Sequence, residues 1–124
     1  MRYLLGNENG TAGWISPFRD RKLQKVFNSA KELRKGYGAR MAKAIMIRLA
    51  VLKAAQTLNM VPVTPPDRRH QLRGDRDEEF AVDLVHPHRL VFKPSHNPIP
   101  RTDDGGIDTE KVTAITIIDV IDYH

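Results

Sequence analysis

The sequence predicts an α+β fold: an N-terminal antiparallel helical hairpin packed on one face of a small, mostly antiparallel sheet of about four to five strands. Two observations favour it. Apolar residues recur with the 3.6-residue period of a helix through residues 20–58, and from residue 70 onwards they alternate with polar residues, as they do in strands. At 124 residues the chain is long enough for one domain with its own core, and no internal repeat divides it.

The helical half divides into two predicted helices. The apolar stripe of the first is formed by Leu23, Val26, Phe27, Ala30 and Leu33. Gly36-Tyr37-Gly38 ends this helix, because glycine is favoured where a helix stops. The second covers about residues 39–58, with a stripe formed by Ala42, Ile45, Leu49, Leu52 and Ala55. Two amphipathic helices joined by a glycine turn predict a helical hairpin.

Four strands are predicted after the helices, over residues 70–73, 80–85, 89–92 and 112–121. His86-Pro87-His88 is a tight connection between the second and third, whereas residues 94–110 form a long loop between the third and fourth. Trp14-Ile15-Ser16 is a candidate for a further strand. Residues 1–13, which are rich in glycine and asparagine, are expected to be a flexible lead-in to a single domain that covers residues 14–124.

Charge is divided unevenly along the chain. Residues 17–76 contain 15 Lys and Arg against 4 Asp and Glu, whereas residues 77–124 contain 4 against 10. The basic block predicts a polyanionic partner such as nucleic acid, and the alternative is a pair of solvated basic helices.

The absence of cysteine excludes disulfides and thiolate metal sites. No apolar stretch approaches the roughly 20 residues that span a bilayer, so a cytoplasmic protein without membrane contact is expected.

The last three residues, Asp122-Tyr123-His124, directly follow the last predicted strand and combine a carboxylate with a histidine. In an extended strand, Asp122 and His124 lie on one face and Tyr123 on the other. Histidine exchanges protons near neutral pH, and a carboxylate nearby orients its ring. Such a pair can cleave a phosphodiester without a metal ion. The alternative is an ordinary polar chain end, which many proteins have.

A second cluster surrounds the first predicted strand. It contains one histidine, His70, and four arginines, Arg68, Arg69, Arg73 and Arg76. Guanidinium groups bind phosphates bidentately and stay charged in almost any environment, although these arginines would also suit a solvated turn with nearby acids as partners. Arg89, at the start of the third strand, is a further candidate for phosphate contact. His86 and His88 lack further ligands at metal spacing, so no metal site and no cofactor is predicted.

Taken in order, these segments resemble the HigB branch of the RelE/ParE toxin superfamily, the plasmid maintenance killer proteins. The resemblance covers roughly residues 14–124. It is carried by residues 18–27, 70–76, 80–84, 89–92 and, most specifically, 120–124. The chain departs from the family pattern in residues 1–13, in the proline-rich segment 61–66, and in the extended hairpin between residues 92 and 112.

The resemblance implies a RelE-like fold and a toxin of a type II toxin–antitoxin system, an endoribonuclease that cleaves messenger RNA on the ribosome. The reaction would be a metal-free attack of a ribose 2′-hydroxyl on the adjacent phosphate. Its implied catalytic residues are His70, Asp122, Tyr123 and His124. Of these, His70 or Asp122 would be the base and His124 the acid, while Arg73 and Arg89 would hold the phosphate. The implied partners are the ribosome, whose RNA the basic helices would bind, messenger RNA, and a HigA-like helix-turn-helix antitoxin.

Two other functions use the same scaffold. A ParE-like toxin would inhibit DNA gyrase by binding to it and would need no catalytic histidine. A RelE-like interaction domain without activity would depend on the long loop rather than on the chain end. The histidine at the chain end favours the ribonuclease over the gyrase inhibitor.

Overall fold

Helices come first in the chain and strands second. The structure, a computed structural model, describes Met1 and residues 21–122, without the side chains of residues 21 and 22. Its helices are α1 (Arg21–Phe27), α2 (Ala30–Tyr37) and α3 (Ala39–Ala54), and its strands are β1 (His70–Gln71), β2 (Phe80–Asp83), β3 (His88–Pro94) and β4 (Ile115–Asp122). Single 3₁₀ turns are formed by Leu58–Met60 and Gly74–Arg76. The predicted α+β class and the order of helices before strands are confirmed for this part of the chain.

The first predicted helix is in fact two helices, which corrects the expectation from the apolar stripe. They are separated at Ser29, whose backbone is extended (φ −131°, ψ 119°). The Ser29 side chain accepts a hydrogen bond from the Glu32 amide, 3.2 Å away, and so caps α2. Serine competes well for such backbone donors, which is why it favours a helix start over a helix interior. Leu23, Phe27 and Leu33 of the predicted stripe are buried and Val26 is partly buried against the core, whereas Ala30, the first residue of α2, is exposed.

Gly38 alone separates α2 from α3. Its backbone lies in a region that glycine adopts far more easily than other residues (φ 84°, ψ 161°), and the helices on either side of it pack against each other. The predicted pair of packed helices is confirmed, but α3 ends at Ala54 rather than near Leu58. The Leu58 amide donates instead to the carbonyl of Val112, 3.0 Å away. Leu58 is thus engaged in a tertiary contact beyond the end of this helix.

The strands form an antiparallel sheet in chain order, β1-β2-β3-β4. The turn at residues 84–87 joins β2 to β3 in a register that sets Asp83 opposite Arg89. Strand β4 returns along β3 with Asp122 opposite His88. The order of the four strands after the helices is as predicted. Their bounds differ, since β1 is shorter than expected, β2 ends at residue 83 instead of 85, β3 is longer, and β4 covers residues 115–122 instead of 112–121.

The connection between β3 and β4, residues 95–114, has no helix or strand in the described structure apart from one isolated bridge. Both of its ends are tied down. The ring of His96 accepts the amide of Thr113 at 3.0 Å, and Val112 is fully buried while its carbonyl binds the 3₁₀ turn Leu58–Met60. The connection is long, as predicted, but it covers residues 95–114 instead of 94–110, and Pro94 belongs to β3. Because Val112 docks against this turn, β4 begins later than its β-branched sequence suggested.

The helices cover one face of the sheet. The core between the two layers includes Leu33, Ile45, Leu49 and Leu52 from the helices and Phe80, Val82, Leu90, Phe92, Ile115 and Ile117 from the strands. On the opposite face, called the second face below, a smaller apolar cluster is formed by Leu72, Ala81 and Val91, with Ile118 and Ile121 packed against it. The described helices do not contribute to this smaller cluster.

None of the helices in the described part of the chain has the length and apolar character needed to cross a membrane. Met1 is buried, and its ammonium group donates to the carbonyls of Leu52 and Lys53 at the end of α3. Burial lowers the pKa of this ammonium group. The rest of the expected lead-in, and the strand expected at Trp14-Ile15-Ser16, lie outside the described residues.

Candidate active site

The second face of the sheet carries four polar side chains where β1, β2 and β3 come together. They belong to Arg68, His70, Asp83 and Arg89 and are called the His70 cluster below. The strand register explains why they converge. His70 pairs with Ala81, and Asp83 pairs with Arg89. Since side chains two apart on a strand share a face, the strand residues of the cluster all join Ala81 on the second face.

His70 is held by two contacts of opposite kind. Its Nδ1 lies 2.9 Å from the carbonyl oxygen of Arg68, and its Nε2 lies 3.2 Å from Nη1 of Arg89. A carbonyl only accepts hydrogen bonds and a guanidinium only donates them. Both contacts are therefore satisfied by the neutral imidazole that carries its proton on Nδ1. In this tautomer the lone pair on Nε2 accepts from Arg89, so Nε2 is the basic atom of the ring.

Asp83 joins the two arginines of the cluster. Its Oδ1 lies 3.4 Å from Nε of Arg89, and its Oδ2 lies 3.5 Å from Nε of Arg68. These are distances of ion pairs rather than of short hydrogen bonds, and Oδ1 is buried without a hydrogen-bond donor among the described residues. One carboxylate between two guanidinium groups leaves the cluster positively charged, which suits an anionic ligand.

On the helix side of the cluster lies an arginine of α3, Arg48, whose surface is 9% exposed. Its Nε donates to the carbonyl of Asp83 at 2.7 Å, and its Nη2 donates to the carbonyl of Pro66 at 3.3 Å. Its Nε also lies 3.6 Å from Oδ1 of Asp67, which is a buried carboxylate. The helix layer therefore contacts both chain segments that supply the cluster.

The remaining arginines that were predicted to bind phosphate have other surroundings. Arg69 is half-buried and donates through Nε to the carbonyl of Val61 at 3.0 Å, and burial lowers its pKa. Arg76 forms an ion pair with Glu79 at 2.7 Å. The Arg73 side chain is exposed just before the 3₁₀ turn that follows β1. The His70 cluster therefore contains only part of the predicted phosphate-binding set.

Asp122 is not brought next to His70. It is the last residue of β4 and follows Ile121, which packs on the second face. Successive side chains of a strand alternate between faces, so Asp122 lies on the helix-covered face while His70 lies on the second face. The structure thus separates these two members of the expected catalytic set. Tyr123 and His124 lie outside the described residues.

Sequence reasoning overlooked Asp83 and Arg48, although each left a signal. Asp83 precedes a tight turn and Arg89 follows it, so hairpin pairing sets them opposite each other. Arg48 interrupts the buried stripe of α3 between Ile45 and Leu49. A cation within an apolar stripe has to find acceptors inside the protein. Here those acceptors are groups next to the His70 cluster.

The His70 cluster combines an imidazole with two guanidinium groups. An imidazole can accept a proton near neutral pH, and guanidinium groups bind phosphate oxygens and stabilise charge that develops on them. The arrangement is therefore suited to proton transfer at a phosphate ester. Among residues 21–122, no group of His, Asp and Glu side chains is arranged to hold a metal ion.

Comparison of the chain with models of protein families, with curated proteins and with solved structures found no match in any of the three.

Proposed function

We propose that the chain is the toxin of a type II toxin–antitoxin system, with a RelE-like fold, and that it cleaves messenger RNA on the ribosome. The observation that carries the proposal is the geometry of His70, whose Nδ1 faces the carbonyl of Arg68 and whose Nε2 faces Arg89 in a positively charged cluster. The order of helices before an antiparallel sheet is compatible with the proposed fold. The resemblance of residues 70–76 and 120–124 to HigB toxins supports the proposed reaction.

In this reaction His70 is the general base. Its Nε2 takes the proton of a ribose 2′-hydroxyl, whose oxygen attacks the adjacent phosphorus. A bond forms between the 2′-oxygen and phosphorus, and the bond from phosphorus to the 5′-oxygen breaks. The departing 5′-oxygen takes up a proton; for His124 to supply it as the acid, the chain beyond Asp122 has to leave the strand alternation that sets Asp122 on the face opposite His70. The products are a 2′,3′-cyclic phosphate and a 5′-hydroxyl end, and no metal ion takes part.

Arg89 has two tasks in this scheme. Before RNA binds, its guanidinium contacts Nε2 of His70 and pairs with Asp83. An RNA phosphate competes for the same donors, because a guanidinium binds charged oxygen atoms more strongly than a neutral nitrogen. Phosphate binding thereby releases Nε2 to accept the 2′-hydroxyl proton, and Arg68 supplies a second guanidinium. Tyr123 is assigned to stacking on a base.

The basic helices are the proposed surface for ribosomal RNA. Their exposed cations are Lys25, Lys31, Arg34, Lys35, Arg40, Lys43 and Lys53. Contacts between such cations and RNA phosphates do not depend on base sequence and weaken as salt is added. A HigA-like helix-turn-helix antitoxin is the proposed partner that neutralises the toxin, and the cytoplasm is the proposed compartment.

The proposal is tested by the substitution His70→Gln, which keeps hydrogen-bonding capacity but removes a group that accepts a proton near neutral pH. Inducible expression of the wild-type chain is expected to arrest growth and to create new 5′ ends in translated messenger RNA. His70→Gln is expected to lower cleavage by about 100-fold or more. His86→Gln is the matched control, since His86 is an exposed histidine outside the cluster.

Undiminished cleavage by the His70→Gln variant contradicts the proposal. DNA damage without messenger RNA cleavage on wild-type expression points instead to gyrase inhibition. Cleavage by the purified chain and ribosomes is also measured with a chelator that spares the magnesium the ribosome requires. Loss of activity with such a chelator contradicts the metal-free reaction.

A further inference from the structure

We infer that Arg48 is a positioning residue for the proposed active site: from helix α3 it fixes the two chain segments whose side chains form the His70 cluster. The catalytic consequence of this role rests on the proposed function. The positioning itself concerns the conformation of His70 and is measurable without any activity.

Arg48 contacts the backbone of both chain segments that supply the cluster. It donates through Nε to the carbonyl oxygen of Asp83 and through Nη2 to that of Pro66. Pro66 stands two residues before Arg68, and Asp83 is the carboxylate between the arginines of the cluster. A single guanidinium therefore holds the segment that leads into His70 at a set distance from the end of β2.

Asp67 completes the arrangement. Its carboxylate is buried beside Arg48, and its carbonyl oxygen accepts the amide of Asp83 at 2.8 Å. Arg68 follows with a left-handed backbone (φ 49°), which a residue with a side chain adopts only where its surroundings hold it. This backbone presents the carbonyl of Arg68 to Nδ1 of His70. The tautomer of His70 thus depends on a conformation that the contacts of Arg48 support.

The position of Arg48 is unfavourable for a cation. It lies within the apolar stripe of α3, between Ile45 and Leu49. A buried ion pair carries a desolvation penalty that an apolar side chain of similar volume avoids, so stability alone does not account for an arginine there. A guanidinium donates in several directions within one rigid plane, which the ammonium group of lysine does not reproduce. Both points indicate that Arg48 serves to fix the relative positions of the chain segments that it contacts.

The substitution Arg48→Lys tests the inference, because it keeps a cation beside Asp67 but loses the planar group. Arg101→Lys is the matched control. Arg101 also pairs with a carboxylate, that of Glu78, and donates to a carbonyl, that of Gly105, but it lies in the β3–β4 loop. With folding checked by thermal unfolding, we expect Arg48→Lys to lower kcat/KM for RNA cleavage by about 10- to 100-fold. The control is expected to change it by less than about twofold, since surface ion pairs contribute little.

A second readout reports the tautomer of His70 directly. The ¹⁵N chemical shifts of an imidazole distinguish a protonated nitrogen from an unprotonated one, and the His70 signals are assigned by their loss in the His70→Gln variant. Arg48→Lys is expected to move these signals away from the pattern of the Nδ1-protonated ring, whereas Arg101→Lys leaves them in place. An arginine with a purely structural role would lower the melting temperature without moving them.

If the folded Arg48→Lys variant shows the same His70 signals as the wild-type protein, the positioning role is overturned. If the His70 signals move but RNA cleavage is unchanged, the catalytic consequence of that role is overturned. If the wild-type chain cleaves no RNA, the proposed function fails and the His70 signals alone decide the positioning role. Should Arg48→Lys not fold, the double variant Arg48→Met/Asp67→Asn, which removes the buried cation together with its carboxylate partner, is measured in the same way. Displaced His70 signals then support the inference, and unchanged signals overturn it.

Discussion

At the scale of single residues, two things decide where the proposed chemistry takes place: the hydrogen-bond partners of His70, and the face of the sheet on which each strand residue lies. His70 lies between a group that only accepts and a group that only donates, which selects one tautomer of its ring. The alternation of side chains along β4 has an equally direct effect, because it places Asp122 on the face opposite His70. The carboxylate that shares a face with His70 and holds both arginines is Asp83.

We therefore expect Asp83→Asn to lower ribonuclease activity more than Asp122→Asn does. Asparagine keeps the volume of Asp83 but loses the charge of the ion pairs with Arg68 and Arg89, so the two guanidinium groups are held less firmly. Since a displacement of about 1 Å costs up to about 100-fold in rate, a loss of about tenfold in kcat/KM is expected for Asp83→Asn. Steady-state cleavage of a labelled RNA by each variant measures this.

Asp103→Asn is the control for this comparison, because Asp103 is an exposed loop residue outside the His70 cluster. A larger loss of activity with Asp122→Asn than with Asp83→Asn would show that the helix-covered end of β4, rather than the His70 cluster, contains the essential carboxylate.

At the scale of elements, some helix ends are determined by residues nearby in the chain, whereas a distant residue contacts the segment just beyond the end of α3. The start of α2 is local, since Ser29 caps a residue only three positions away. The link between α2 and α3 is also local, because Gly38 has a positive φ that residues with a side chain strongly disfavour. By contrast, Leu58, just beyond the end of α3, binds a residue 54 positions further along the chain, Val112.

Replacement by alanine is expected to change the stability of the protein in opposite directions at Gly36 and Gly38. At Gly38 an added Cβ meets no atom within 4 Å, so the cost of Gly38→Ala comes from the positive φ alone and is about 1–3 kcal/mol. Gly36 lies inside α2 without a positive φ and with equally open surroundings. Gly36→Ala is therefore expected to stabilise the protein by about 0.5–1 kcal/mol. Urea unfolding of the two variants measures both changes.

The opposite signs make each glycine the control for the other. If Gly38→Ala is as stable as the wild-type protein, the backbone at the α2–α3 link does not require glycine. Destabilisation by Gly36→Ala would show that α2 does not continue through this residue.

At the scale of the whole molecule, charge is separated between the helices and the later half of the chain. Helices α1 to α3 expose lysines and arginines, and within their described spans the one carboxylate is Glu32. The β3–β4 loop instead carries Asp103, Asp104, Asp108 and Glu110. A polyanion is therefore attracted to the helical side and repelled from the loop.

We expect the affinity of the chain for single-stranded RNA to fall steeply with salt, and this slope to depend on the helices. Each phosphate contact that is removed lowers the slope of log K against log salt concentration by about 0.7 for a single strand. The double substitution Arg40→Gln/Lys43→Gln, on exposed positions of α3, is therefore expected to lower the slope by about 1.4. Fluorescence anisotropy with a labelled RNA at several salt concentrations measures it.

Lys111→Gln is the control, because Lys111 lies in the acidic loop beside Asp108. An unchanged slope in the α3 double variant would mean that the exposed face of α3 does not contact RNA, and would assign the salt dependence to other cations of the chain.

The sequence by itself determined the kind and order of the elements, because these follow from patterns that lie within a few residues of one another. The 3.6-residue and two-residue periods give the helices before the strands, and Gly36-Tyr37-Gly38 predicts the break between α2 and α3, although the structure keeps Gly36 and Tyr37 in α2 and breaks at Gly38 alone. His70 and Arg89 were identified as candidates for the same reason, since charge and imidazole chemistry belong to the residue itself.

Only the tertiary structure decided which of these groups meet. The pairing of Asp83 with Arg89, the burial of Arg48 beneath the His70 cluster, and the separation of Asp122 from it all depend on strand register and on packing between layers. Register and packing join residues far apart in the chain, and a shift of one residue in register moves every side chain of a strand to the other face. For this reason the elements could be predicted from local pattern, whereas the composition of the site could not.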